Sequence, residues 1–280
     1  MNGREKVMLE RLMQHAEQAE VFEIQSEATK IGFKANKLKS FEVEETRGVA
    51  TRVIVDGHLG FAASSDVTAL DQLVDNVLAS ARLGDEIPLR FPATQPGPQV
   101  RVYDPALATL PTARLIEIGK EIVNTVLDAD EQAKVSIDLT RRVRETTVRN
   151  TAGAKITVRK APLSIMLEIE RVRGDDVFTL WEYFNTAVLD EEYRAFVDRI
   201  AEKLRLAQRA ATLSSGQMPV LFSPTGAPML VLPLIQGLNG KNVYRGISPM
   251  AGQKGQQIFD DNFILVDDPT LDGRPGSSSH

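Results

Sequence analysis

The chain has 280 residues, 42% of them hydrophobic and 25% charged, with a formal net charge of −5 and no cysteine. That length bounds one large or two ordinary domains around a substantial core. Disulfides, thiolate metal sites and cysteine nucleophiles are excluded; no stretch approaches the roughly 20 apolar residues of a membrane span, and the acidic balance gives no global attraction to nucleic acid or anionic lipid.

The first 25 residues are charged and lack the apolar centre of a signal peptide, so the expected compartment is the cytoplasm. Val7, Leu9, Leu12, Met13, Ala16 and Ala19 recur at near-helical spacing and predict an opening helix over 4–20. From Val21 the period falls to two, predicting strands near 21–28, 30–36, 39–45, 48–55 and 58–63. Asp56-Gly57 joins the last two, because a two-residue hairpin turn needs positive φ. Ser65 or Asp66 is expected to cap a helix with Leu70, Leu73, Val74, Val77, Leu78 and Ala81 on one face, ended by Gly84 in the left-handed conformation. Residues 1–84 thus read as an α+β domain, an antiparallel sheet with flanking helices.

Residues 85–111 contain Pro88, Pro92, Pro96, Pro98, Pro105 and Pro111 and read as an extended connector at a domain boundary. Residues 112–215 follow as a central α+β segment. Thr112 is expected to cap a helix to about Leu127, and β periodicity runs from Val135 to Phe184 with a hairpin around Gly174-Asp175-Asp176. A helix from Asp190 to about Ala210 closes it.

The stretch from Met218 to Gly255 carries the functional argument. Val220-Leu221-Phe222 reads as a strand, a Pro/Thr/Gly turn leads into an apolar helix expected to be buried, and a glycine-spaced polar loop is expected to open onto a groove. No His, Glu, Asp or Cys lies between Gly226 and Gln236, and Pro233 predicts a bend in the helix.

Two segments together resemble the TldD/PmbA family, the so-called modulators of DNA gyrase. They are GVATRVIVDGHLGFAASSDVTALDQLVDNVLASA (48–81), and PVLFSPTGAPMLVLPLIQGLNGKNVYRGISPMAGQKGQQIF with ILVDDPTLDGRPGS behind it (219–276). The resemblance implies one of two subunit kinds. The TldD kind is similar to a metalloprotease with a His-Glu-x-x-x-His zinc helix and a later cysteine ligand; the PmbA or TldE kind keeps the fold without the ligands. The two form a complex that degrades unfolded peptides and trims leader segments from ribosomally made peptides.

Aligned on Gly237-Leu238-Asn239-Gly240, the resemblance sets Val231, Leu232 and Gln236 at the positions of the first His, the Glu and the second His. Zinc needs nitrogen, sulfur or carboxylate donors and its water needs a carboxylate base, so this chain is expected to hold no metal and to have no catalytic residue of its own. Zinc is expected only in a catalytic sibling. The expected partners are that TldD-like sibling or a second copy, together with an extended peptide added as a strand; no nucleic acid and no membrane are expected. Asn239, Tyr244, Arg245 and Ser248 are the candidates for the groove rim, and the same loop also reads as structural, its glycines setting tight turns. Family members continue beyond the residues matching His280, so 216–280 is expected to be the truncated start of a C-terminal β-rich domain.

Other constellations read as ordinary structure. His15, His58 and His280 build no ligand spacing, and Gly237-x-x-Gly240-Lys241 fails as a phosphate loop because Ile235 and Asn242 replace the required Gly and Ser or Thr. Asp260-Asp261 and Asp267-Asp268 read as turns rather than a calcium site. Arg141, Arg142, Arg144 and Arg149 read as a solvated sheet face offset by Glu145, Glu168 and Glu170. The alternatives kept open are a stand-alone peptidase and a regulator of DNA gyrase without catalysis of its own.

Overall fold

The computed structural model describes residues 4–95, 97–190, 192–209 and 211–278. Two compact units emerge: Met1–Ala207 together with Pro269–His280, and Gln208–Asp268.

The first unit is built on one seven-stranded antiparallel sheet, confirming the α+β expectation. In chain order its elements are α1 (Arg4–Leu12), β1 (Gln18–Lys34), β2 (Lys37–Val55), β3 (His58–Ser64), α2 (Leu70–Ala81), α3 (Pro105–Ala108), α4 (Thr112–Ala129), β4 (Lys134–Asn150), β5 (Lys155–Lys160), β6 (Leu163–Arg173), β7 (Asp176–Thr186) and α5 (Glu192–Leu206). The strand order is β3-β2-β1-β4-β6-β7, with β5 also paired to β4.

Four short strands expected in the N-terminal segment are two long ones. β1 pairs with β2 from Gln18↔Ile54 to Lys34↔Lys37, and with β4 from Glu20↔Asn150 to Phe33↔Ile137. A strand held on both edges stays extended through polar residues such as Thr29 and Lys30, which in isolation read as a break. The turn lies instead at Ala35 and Asn36, both at positive φ. The opening helix ends at Leu12 because Ala19 belongs to β1, where alternation rather than helical spacing buries it.

The proline-rich segment is not a boundary between two bodies. The β1–β4 ladder carries the sheet from the N-terminal segment into the central one, so both belong to a single unit. The connector is fastened to it by buried Phe91, Val102, Leu107 and Leu110. Three helix-end expectations also change. Pro111, not Thr112, precedes α4, and Asp66 accepts from Thr68 N (2.8 Å) in a turn four residues before α2 instead of capping it. Gly84 is not left-handed; it is glycine because a Cβ there would lie 2.0 Å from the Leu59 carbonyl oxygen.

Two hydrophobic clusters sit on the sheet. One packs α1 and α2 on Ala19, Val21, Val49 and Val53; the other packs α4 and α5 on Ile31, Phe33, Ile137, Leu139, Ile165 and Leu167. Both use odd-numbered residues of β1, so both helix pairs cover the same side of the sheet. Arg141, expected on a solvated face, is largely buried and donates to the Leu110 carbonyl (2.7 Å) and Thr29 Oγ1 (2.8 Å). The segment after Pro269 returns to this unit: Ala187 N–H donates to Gly273 O (2.9 Å), and Gly273 N–H to Arg101 O (2.8 Å).

The second unit holds α6 (Pro228–Leu238) and α7 (Gly240–Tyr244). Expected to open a β-rich domain, it forms no strand among the described residues: Val220-Leu221-Phe222 and Ile264-Leu265-Val266 are irregular and largely exposed, lacking a partner to pair with. No helix of the described residues is long and apolar enough to cross a membrane.

Candidate functional site

The α6–α7 element is the candidate site, and its geometry follows from local sequence. Pro228 sits in the first turn of α6, where its missing N–H costs nothing. The helix continues across Pro233, whose missing N–H leaves the Met229 carbonyl without its helical donor. Asn239 ends α6 and starts α7: in extended backbone, its Oδ1 accepts from Lys241 N (3.0 Å). Asn242 Nδ2 reaches back to the Gln236 carbonyl (2.9 Å), locking the corner.

Burial overturns the expectation for the helix. Of α6 only Gly237 is buried, while Met229, Leu230, Leu232, Ile235 and Leu238 are each more than half exposed. An uncharged helix of this kind normally lies inside a core; here 61 residues with no sheet supply too little apolar surface to cover it.

The four rim candidates divide into two kinds. Ser248 is buried, with 8% of its surface exposed; its hydroxyl donates to the Gly237 carbonyl and accepts from Met250 N (3.0 Å), stapling the loop to α6. Gly237 is required there, since a Cβ would come within 3.1 Å of Met250 Cγ. Asn239 is likewise occupied as a cap. Among the described residues Tyr244, 92% exposed, and the exposed Arg245 have no such side-chain bond, whereas Asn239, also exposed, commits its Oδ1 to the cap. Ser248 and Asn239 therefore shape the loop, while Tyr244 and Arg245 leave their side chains in solvent.

Val231 is half-buried, whereas Leu232 and Gln236 are exposed. None of the three carries a nitrogen, sulfur or carboxylate donor suited to zinc, so the residues present do not fit that metal. Among the described residues no group of three or more His, Cys, Asp or Glu comes together anywhere. His58 is used by structure: its Nδ1 lies 2.9 Å from the Gly84 carbonyl. Asp260 Oδ1 accepts from Asn262 N (2.9 Å), an ordinary turn.

Sequence reasoning missed Lys160 in the first unit. It donates to the carbonyls of Pro275 (3.1 Å) and Ser277 (2.6 Å), and burial, reinforced by Arg144, holds its amine below the usual lysine range. Nothing in the local pattern around β5 marks a lysine that grips a segment 115 residues away.

Comparison with known proteins bears directly on this element. Residues 215–280 match the family model for the PmbA/TldA metallopeptidase C-terminal domain, and residues 19–81 match that for PmbA/TldA metallopeptidase domain 1. The structure is similar to TldE from Thermococcus kodakarensis, with a TM-score of 0.82 at 17% identity over 98% of this chain and 64% of that one. A Bacteroides thetaiotaomicron protein carrying the DNA gyrase modulator name superposes with the same TM-score at 18% identity, covering 98% and 65%. An uncharacterized protein of Methanocaldococcus jannaschii is 24% identical over 263 residues, 91% of this chain and 59% of its own length. The chain thus spans about three fifths of that curated relative and just under two thirds of the two solved chains. Residues 19–81 and 215–280 are thus matched by two domain models of the PmbA/TldD family, and the chain between and around them follows the TldE fold.

Proposed function

We propose that the chain is a PmbA/TldE-type, non-catalytic subunit of a cytoplasmic metalloprotease complex that degrades unfolded peptides or trims leader peptides. The observation that carries this reading is the side-chain chemistry of α6. Val231, Leu232 and Gln236, at the positions the family resemblance assigns to the zinc helix, offer neither ligands nor a general base. Zinc then belongs to a His-Glu-x-x-x-His sibling. The apolar residues that α6 leaves exposed, Met229, Leu232 and Ile235 among them, support association with further protein surface. On this reading Tyr244 and Arg245 are the loop residues that meet the peptide, a role their exposure supports.

The test is co-expression with a His-Glu-x-x-x-His homologue encoded in the same genome, followed by purification on a tag carried by this chain. The expected result is a stable complex with zinc only in the sibling, which cleaves denatured casein while the isolated chain does not. Stoichiometric zinc in the isolated chain together with chelator-sensitive cleavage would establish a stand-alone peptidase instead. Salt-dependent retention on DNA would favour the gyrase-modulator reading, whereas a net charge of −5 predicts none.

A further inference from the structure

The outer edge of β5 is open. Asn150 N–H donates to the Ala154 carbonyl (3.1 Å) and Arg142 N–H to the Pro162 carbonyl (2.9 Å), so even-numbered residues of β4 and β5 form the closely bonded pairs of their ladder. The odd-numbered residues of β5 therefore turn N–H and C=O away from β4. Lys155 N–H is taken by Thr94 Oγ1 (3.1 Å). For the main-chain groups of Thr157 and Arg159 no partner is found among the described residues.

Facing them is the connector. It starts beside the β4–β5 turn, where Asn150 Nδ2 donates to the Pro92 carbonyl (2.9 Å), and passes Lys155 at Thr94. It has opened a groove of about 470 Å³ by the time it reaches residues 100–103, with β5 residues 157–159 and Glu145 as the other wall. Pro92 and Pro98 have no N–H to donate, which keeps this segment from closing onto β5 as a strand of its own. The far wall is pinned: Arg101 N–H donates to Asp272 Oδ1 (2.7 Å) and Arg101 O accepts from Gly273 N–H (2.8 Å). Two guanidinium groups, Arg101 and Arg159, line the groove against one carboxylate. That carboxylate, Glu145, is already paired with Arg159 Nε at 2.5 Å, while Arg101 forms no ion pair among the described residues.

We propose that this groove docks an extended peptide segment bearing a carboxylate, which adds to the free edge of β5 through Thr157 and Arg159 and meets Arg101 with its acidic side chain. Main-chain pairing supplies sequence-tolerant affinity, and the Arg101 guanidinium, which holds no carboxylate in a direct ion pair among the described residues, supplies selectivity. The inference rests on the peptide-handling function above for the origin of the ligand, but its site lies on the sheet unit and not at the α6–α7 loop.

The test is fluorescence anisotropy of the full chain with a fluorescein-labelled Val-Glu-Val-Thr-Val peptide. Two further peptides carry N-methyl groups on the odd or on the even amides, and a fourth has Lys in place of Glu. Saturable binding is expected, weakened about tenfold or more by one N-methyl pattern and much less by the other, because only one set of amides faces β5. Thr157→Pro removes the outward N–H without touching the β4 ladder, and is expected to weaken binding about tenfold with an unchanged melting temperature. Arg101→Glu is expected to reverse the preference between the Glu and Lys peptides. Absence of saturable binding up to about 1 mM, equal affinity for both N-methyl patterns, or wild-type affinity in a folded Thr157→Pro variant would each overturn the site. Should that variant unfold, the N-methyl pair decides the matter on the wild-type chain. Failure here with sibling co-purification intact removes the groove alone; lost co-purification with intact peptide binding removes the subunit proposal alone.

Discussion

Removing the carboxylate of Asp130 is the sharpest perturbation of this fold. Asp130 follows α4, and its side chain is fully buried between two guanidinium groups, Arg171 Nη1 and Arg173 Nη2, each at 3.1 Å; it also accepts from Gln132 N (3.1 Å). Arg171 is itself only 3% exposed and stacks 5.0 Å from the Phe178 ring centre. Its other contacts are the solvent-exposed Asp176 carboxylate at 3.4 Å and the Ala207 carbonyl at 3.2 Å. Asp130→Ala leaves a buried cation facing a void with only those contacts, and breaking a buried pair from one side costs about 3–5 kcal/mol. In a unit of this size each kcal/mol moves the melting temperature by roughly 2–4 °C, so a fall of about 10 °C is expected in a calorimetric or circular-dichroism melt. The double variant Asp130→Leu with Arg171→Met removes the two fully buried charges, leaves Arg173 at its part-exposed position, and is expected to recover most of that loss. An Asp130→Ala variant within about 1 kcal/mol of wild type in urea titration would refute the account of this cluster as a fully desolvated pair.

Other outcomes follow from separate parts of the molecule. Gly60→Ala places a Cβ 2.4 Å from the Val77 carbonyl and 2.8 Å from Ala81 Cβ, forcing α2 off β3; a loss of about 1–3 kcal/mol is expected in urea unfolding, against near-neutrality at exposed Gly216. Glu121 is held below the usual glutamate range by the Arg114 guanidinium and the Tyr193 hydroxyl, and Asp104 below the usual aspartate range by the Leu189 and Ala106 amides. Both folded pKa values are depressed, so their stabilisation is present above the unfolded values and is lost as pH falls below about 4. Glu121→Gln should make the acid limb of a stability-versus-pH curve shallower. Ser248→Ala deletes both bonds of the loop staple, and limited proteolysis between α7 and Gln253 is expected to accelerate several-fold with the melting of the sheet unit unchanged.

What the sequence determined by itself was local. The hairpin at Asp56-Gly57 lies where positive φ demanded it, α2 carries the apolar face its spacing predicted, α4 and α5 are helices where expected, and the two family segments fall inside the two matched domains. The donor-poor chemistry of Val231, Leu232 and Gln236 is likewise written in the side chains and needs no coordinates. Only the tertiary structure decided that β1 stays extended through Thr29, because both its edges are paired, and that segments 1–84 and 112–207 share one sheet. It also separated Ser248, whose hydroxyl closes onto Gly237, from Tyr244, which stands in solvent; four similar-looking polar loop residues gave no sign of that division. Alternation and spacing report how each residue sits on its own element, whereas ladder partners, buried ion pairs and loop staples join residues tens to more than a hundred positions apart, and no local pattern encodes them.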